Sequence, residues 1–437
     1  MRWKKNPFDL IEAIVRGELE DPVSGKRITV PVKIVMIEDS LAGKEVDLLR
    51  DVGLRGPFSV VSDKNTEEAL GKRVKTSLSQ YAKIIPICLR NKVHSDLRTA
   101  QEVISASKDS QAIIAVGAGT INDLCKYAAS STKKPYVVFP TAPSMNGYTS
   151  VNAAIMVNGL KESLPAAAPL GVFIDVQVLS HSPIRMIRSG FADTICRPTA
   201  QADWLLSHLV FETEYSDTPF RLLKEFEQML LSEPKALVKG DTQSIRILIS
   251  SLVLSGFGMC IAGGSFPASQ GEHLISHYLE MCLGDSLTSL HGEQIGIATL
   301  VMARLQEYML NLDKLVISPS KLRQAEVLAR YGESTGRLCW EEYSKKYITV
   351  EKAEELNNRF IEKWDDYHKQ IDSVTLSPEN IKKALQSIDA PLIPEDIDIP
   401  RPAFLEAIKH AREIRHRYTF LDLASDSGNL DPKKLID

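Results

Sequence analysis

The stretch Ala112-Ile-Ile-Ala-Val116 runs straight into Gly117-Ala-Gly119-Thr-Ile-Asn-Asp123-Leu-Cys-Lys126. A short β-branched run, a glycine-bearing turn and a helical pattern follow one another with no spacer. That order reads as a strand, a tight turn and a helix start. The glycines let backbone approach an anion closely, and the exposed N–H groups and dipole of a helix start favour negative charge. A turn that is merely tight has the same look, and Asp123 fits equally well as a carboxylate compensating the helix dipole. The pattern departs from GxGxxG at its third glycine, where Asn122 stands, and no GK[ST] follows.

Working outward, short strand-like runs alternate with helical patterns up to about residue 180. Residues 28–36 read as a strand, with Pro31 favouring an edge position. Residues 58–62, 84–89 and 136–140 read as further strands, and 66–79, 96–107 and 122–131 as helices between them. Such alternation implies parallel pairing with crossover helices. From about Ser182 long helical patterns take over, among them 183–196, 200–210, 219–232, 242–263, 273–282 and 292–311. The expected fold is an α/β N-terminal domain with a parallel, Rossmann-like sheet over residues 1–180. An all-helical domain over 181–425 and a mobile polar tail over 426–437 would follow.

The bulk numbers narrow the function classes. With 437 residues, 44% of them hydrophobic and 25% charged, the composition is that of a soluble globular chain with room for a sizeable core. The formal charge of −4 comes without a basic stripe, so nucleic acid is not an expected partner. Six scattered cysteines with no CxxC suit free thiols, hence a reducing, cytoplasmic compartment. The opening is charged, and residues 8–19 are interrupted by Asp9, Glu12, Arg16 and Glu18, so neither a signal peptide nor an anchor is expected there. No apolar run reads as long enough to span a bilayer.

Two further features carry chemistry. A loop, Thr141-Ala142-Pro143-Ser144-Met-Asn146-Gly-Tyr-Thr-Ser150, follows the next strand, where ligands bind in sheets of this kind. Its hydroxyls would suit a cofactor; a turn satisfying its own backbone is the other reading. Downstream, Glu272-His273-Leu-Ile-Ser-His277 puts two histidines one helical turn apart, and His291 opens another helix. Three of the nine histidines thus fall between residues 273 and 291, and Gly190-Phe-Ala-Asp193 offers a carboxylate. One carboxylate with two imidazoles is a normal set for a catalytic divalent metal, although a solvated or satisfied histidine pair has the same spacing. HExxH and GxSxG are absent.

Taken together, these motifs resemble the sn-glycerol-1-phosphate dehydrogenase branch of the superfamily of glycerol dehydrogenase, iron-containing alcohol dehydrogenases and dehydroquinate synthase. The superfamily's GGGxxxDxxK turn corresponds to residues 117–126, and the branch's TAPSxDGYTS loop to 141–150. Residues 159–169, the pairing of Asp193 with Ala202-Asp-Trp204, and residues 267–277 and 291–296 also match, so the likeness covers about 55–310.

The resemblance implies a dehydroquinate synthase-like fold and a role for each matching position. Gly117, Gly119, Thr120, Ile121, Asn122 and Asp123 would cradle the pyrophosphate of NAD or NADP. Thr141, Ala142, Pro143, Ser144 and Ser150 would line the rest of the cofactor. Asp63 would take the adenine-ribose hydroxyls and favour NAD, unless it is an ordinary strand-end acid. Asp193, His273 and His291 would bind one divalent metal, zinc in the first place, with iron or nickel as the other fits. His277 would face the substrate and relay a proton. Lys161 would meet the substrate phosphate, or be simply an exposed lysine.

The implied reaction is reduction of dihydroxyacetone phosphate to sn-glycerol 1-phosphate, or turnover of a closely related polyol phosphate, by a homo-oligomer. Three positions depart from the pattern: Asn146 replaces a substrate-contacting Asp, Ala192 a glycine, and Arg197 a lysine. Asn146 motivates an alternative substrate, another polyol or a hydroxyalkyl phosphonate. A lyase or cyclase using NAD transiently, and a degenerate nucleotide-binding scaffold, are the remaining alternatives. The branch-specific motifs count against the first, and the retained metal-ligand residues against the second.

Overall fold

The computed structural model describes residues 6–90 and 93–436. The charged opening residues 1–5, on which the leader reading partly rests, and the last residue of the expected tail lie outside the described residues. The strands are β1 (Ile34–Glu38), β2 (Phe58–Asp63), β3 (Ile84–Leu89), β4 (Ala112–Val116), β5 (Tyr136–Phe139), β6 (Asn152–Val157), β7 (Leu160–Pro165) and β8 (Gly171–Asp175). Six of them form one sheet in the order β1-β8-β5-β4-β2-β3, with every pair parallel.

β4, β5 and β8 are buried along their whole length, as central strands of a doubly covered parallel sheet must be. From β2 the chain crosses to β3 on one side, and from β4 it crosses to β5 on the other. The carboxyl ends of β2 and β4 therefore flank a topological switch point, the place where such sheets bind ligands. Asp63 and Gly117 stand at those two ends.

Several local expectations change. Residues 28–33 are irregular, and β1 begins only at Ile34, after Pro31, which has no N–H to give a ladder. The helix expected over 66–79 is interrupted by a π-helical turn, Glu67–Gly71, where Glu67 accepts the Ser62 hydroxyl at 2.8 Å. The short β6–β7 pair was not anticipated, although the Asn158-Gly159 turn (φ 50° and 82°) is the usual signal for a two-residue hairpin.

The chain groups into two compact units. The first comprises Met1–Val157, Lys161–Thr194 and Asp217–Ser265, and the second Asn158–Leu160, Ile195–Ser216 and Phe266–Asp437. Helices Thr218–Ser232 and Thr242–Ile261 thus belong with the sheet, although the large sheet's last strand ends at Asp175. Thr242–Ile261 is apolar nearly all round and is buried from Ile245 to Met259 with few breaks. A helix of that composition needs cover on every side, which is the reason it groups with the sheet. By length and composition it also qualifies as a membrane-crossing helix, which corrects the expectation that no such run exists; its burial is that of a core helix.

The second unit is helical, packed around Leu206, Leu274, Ile297, Leu305, Leu356, Phe404 and Phe420. The tail expected to be mobile instead carries a helix, Lys433–Ile436, with Leu435 and Ile436 buried in this core. Arg304 donates to the Leu435 carbonyl at 2.7 Å.

Candidate nucleotide and metal sites

In the first unit, the glycine turn leads from β4 into the helix Gly119–Thr132. A Cβ on Gly117 would lie 2.6 Å from Cβ of Ile121, so only glycine lets the turn close over that side chain. Ala118 caps the helix without any side-chain hydrogen bond. No cap side chain therefore competes with an anion for the N–H groups of the first turn, as a pyrophosphate site requires. Gly119 and Thr120 are half-buried, whereas Ile121 and Asn122 are buried inside the turn.

Lys126, which sequence reasoning quoted only as part of a motif, organises this region. Its fully buried ammonium donates to the Gly147 carbonyl at 2.6 Å, to Ser150 Oγ at 2.9 Å and to the Asn152 carbonyl at 2.9 Å. It also lies 3.7 Å from Asp123 Oδ1, while Asp123 Oδ2 accepts the Ala154 N–H at 3.3 Å. Burial pushes the Asp123 carboxyl up, opposed by the Lys126 and Lys161 charges. Burial likewise pushes the Lys126 ammonium down, opposed first by Asp123.

The 141–150 loop is fixed on several sides. Tyr148 donates to the Ala142 carbonyl at 2.6 Å, and the Thr149 hydroxyl to the Val253 carbonyl at 2.7 Å. A Cβ on Gly190 would overlap the Pro143 carbonyl, and one on Gly256 the Thr149 hydroxyl, so two helices press their backbones onto the loop. Thr141, Ala142 and Ser144 are buried, and the Ser150 hydroxyl is engaged with Lys126, Gly147 and Asn152 inside the loop.

Asp193 sits buried in the helix Ile184–Ile195, and its Oδ2 accepts the Asn146 backbone N–H at 2.9 Å. The Asn146 side-chain Nδ2 is buried and meets no acceptor among the described residues. Asp63 serves as a helix cap, its Oδ1 accepting the N–H groups of Asn65 and Thr66 at 2.9 Å each. That capping role keeps its carboxylate at the end of β2.

In the second unit, helix Gly271–Leu283 carries His273 and His277, and His291 opens helix His291–Leu310. Ring centroids lie 5.2 Å apart for His273 and His291, and 6.1 Å from His277 to each of them. Nδ1 of His273 faces Glu272 Oε1 at 2.9 Å. Nδ1 of His291 faces Ser276 Oγ at 3.3 Å and Glu280 Oε1 at 3.6 Å. With both Nδ1 atoms engaged by neighbours, a metal would be met by Nε2 of each ring, the usual arrangement of ligating imidazoles.

His277 is held well below the ordinary imidazole range, chiefly by burial, with Arg415, His273 and His291 adding to the effect and Glu280 opposing it. It is therefore neutral near pH 7. Its Nδ1 is buried with no partner among the described residues.

Three groups that sequence reasoning gave no role complete this part. Asp203 accepts the N–H groups of Gly271 (2.9 Å) and Phe420 (3.0 Å), and its carboxyl is pushed up to about 8 by burial and the neighbouring Glu272 charge. Glu272 and Ser276 are the others. The only signal in the sequence was a carboxylate adjoining His273, a candidate ligand. Cys196, Glu272 and His273 also bring ligand atoms within 4.8 Å of one another, although Glu272 is already engaged with backbone and ring.

The model of the iron-containing alcohol dehydrogenase family matches residues 36–183. The chain is 34% identical to a glycerol-1-phosphate dehydrogenase (NAD(P)+) of Thermococcus kodakarensis, covering 62% of this chain and 77% of that protein. To the enzyme of the same name from Bacillus velezensis it is 29% identical, covering 85% and 86%. Among solved structures, a glycerol dehydrogenase from Schizosaccharomyces pombe superposes with a TM-score of 0.61 at 18% identity, covering 93% and 87%, a likeness of fold. On its fold, its ordered motifs and these relatives, the chain belongs to the glycerol-1-phosphate dehydrogenase branch of the iron-containing alcohol dehydrogenase superfamily, and it is an NAD(P)-dependent oxidoreductase.

Proposed function

We propose that the chain reduces dihydroxyacetone phosphate to sn-glycerol 1-phosphate, or turns over a closely related polyol phosphate, using NADH or NADPH. One divalent metal, zinc in the first place, would be held by Asp193, His273 and His291. The observation that carries the metal assignment is the His273–His291 pair, with both Nδ1 atoms engaged and the rings 5.2 Å apart. A bound divalent ion supplies Lewis acidity to the ketone oxygen, where negative charge builds as hydride arrives at carbon.

The chain's own groups do the rest. The uncapped turn after β4 receives the pyrophosphate, and Asp63 at the end of β2 repels a 2′-phosphate, which favours NAD. Lys161, half-buried on β7 and near enough to Asp123 to influence its ionisation, offers its charge to the substrate phosphate. His277, whose ring is neutral, would relay the proton that the alkoxide takes up, giving one from one ring nitrogen and accepting another at the other. A cytoplasmic location accords with six free cysteines, and a homo-oligomeric enzyme acting on a phosphorylated small molecule completes the proposal.

Asn146 supports one second reading. Its buried amide donor, without an acceptor among the described residues, suits a substrate oxygen that accepts, such as that of a 2-oxoalkyl phosphonate. The purified protein offered dihydroxyacetone phosphate with NADH, and separately with NADPH, should oxidise the nicotinamide, faster with NADH. If dihydroxyacetone phosphate oxidises neither cofactor while a 2-oxoalkyl phosphonate oxidises one of them, the second reading replaces the first.

A further inference from the structure

We propose that Glu272 is a positioning residue for the metal, acting through His273, and that the two metal imidazoles are held with unequal firmness. The inference rests on the reading of His273 and His291 as ligands.

Glu272 lies in the first turn of its helix and is fully buried. Its Oε1 accepts the Gln270 N–H at 2.8 Å and stands 2.9 Å from Nδ1 of His273. An ionised carboxylate has no proton to give, so the ring must donate from Nδ1. That fixes the tautomer whose Nε2 lone pair faces away, ready for a metal, and makes the ring a stronger ligand.

The carboxylate is itself held from several directions. The Thr199 hydroxyl lies 3.5 Å from Oε2. The buried Arg417 guanidinium donates to the Ser269 carbonyl and places its charge near Glu272. Asp203 pins the Gly271 N–H, and a Cβ on Gly271 would strike Met302. The turn 269–272 therefore has little freedom to let the carboxylate swing away.

Among the described residues His291 has no carboxylate at the distance that separates Glu272 from His273. Its Nδ1 meets Ser276 Oγ at 3.3 Å, and the Ser276 hydroxyl gives its own proton to Gln294 Oε1 at 2.8 Å. The Glu280 carboxylate is farther, at 3.6 Å. A charged acceptor at hydrogen-bond distance holds a ring more firmly than a neutral oxygen at a longer one.

The test is zinc affinity, read by competition with a chromophoric chelator on the purified full chain. Glu272→Gln should weaken zinc about 10–100-fold, the usual effect of losing such a partner. Ser276→Ala should weaken it less than about fivefold. Equal affinity of Glu272→Gln and wild type would overturn the proposal, as would a larger loss in Ser276→Ala. A wild type that takes up no zinc would instead refute the ligand reading on which the proposal rests. Should the glutamine variant not fold, imidazole ¹⁵N shifts of the wild-type protein decide: an Nδ1–H tautomer at His273 supports the role, and an Nε2–H tautomer overturns it.

Discussion

Replacing His273 with alanine is expected to strip the protein of stoichiometric metal and to lower kcat by about a thousandfold or more, since Lewis-acid stabilisation of a developing alkoxide is worth several kcal/mol. The substitution removes a ligand from the centre of the histidine cluster, where His273 is only 4% exposed. It also leaves the buried Glu272 carboxylate without its ring donor, a loss of about 1–3 kcal/mol of folding stability. Elemental analysis of the purified variant beside wild type checks the first effect, and steady-state reduction of dihydroxyacetone phosphate the second. Retained metal at one equivalent would move the ligand assignment elsewhere.

The second large effect is expected from Lys126→Met, which keeps the length of the side chain and deletes its charge. Three oxygens and the Asp123 carboxylate converge on this one buried ammonium. Without it, the carbonyls of Gly147 and Asn152 lose their charged donor and share the Ser150 hydroxyl alone, and Asp123, 14% exposed, loses its cation. Breaking a buried pair in this way costs about 3–5 kcal/mol. The loss falls on the element that ties the cofactor turn to the neighbouring loop, so NAD(P) affinity should drop at least about tenfold, about 1.4 kcal/mol of binding energy. Denaturant midpoints measure the first effect and calorimetric cofactor titration the second. Unchanged cofactor binding in a folded variant would show that the loop holds its shape without the lysine.

Where periodicity is strong, the sequence stated the fold plainly. Residues 84–89 and 112–116 are bounded β-branched runs, and the structure begins and ends them at the same positions. The helix over residues 242–263 is equally legible, ending two residues early. What local pattern could not show is which unit that helix joins, because an apolar helix announces burial without naming its neighbours. The π-helical turn at Glu67–Gly71 was invisible for a similar reason: it coincides with a side-chain bond from Ser62 to Glu67 that only the folded chain creates. Residues 28–33 failed as a strand because β-branched content alone does not supply a partner.

The site shows the same division. His273, His277 and His291 were legible from spacing, since one helical turn puts two of them on one face. Their separate roles were not. Those depend on Glu272 turning toward Nδ1 of His273, and on Ser276 reaching His291 from a position fifteen residues earlier. Lys126 was hidden for a plainer reason. A lysine on a helix ordinarily faces water, and nothing in the local sequence reveals that three oxygens from residues 147–152 surround this one. Asn146 was marked as a departure, but the burial of its amide nitrogen, without an acceptor among the described residues, is visible only in the folded loop.

On the proposed function, a metal held by this chain's histidines makes NAD(P)-linked reduction of a phosphorylated ketone possible. The most direct test of that role is to strip the purified protein with a chelator, remove the chelator, and titrate zinc back while following oxidation of NADH by dihydroxyacetone phosphate. Activity should be lost on stripping and return in proportion to zinc, saturating at one equivalent per chain. Full activity in the metal-free protein would contradict that role.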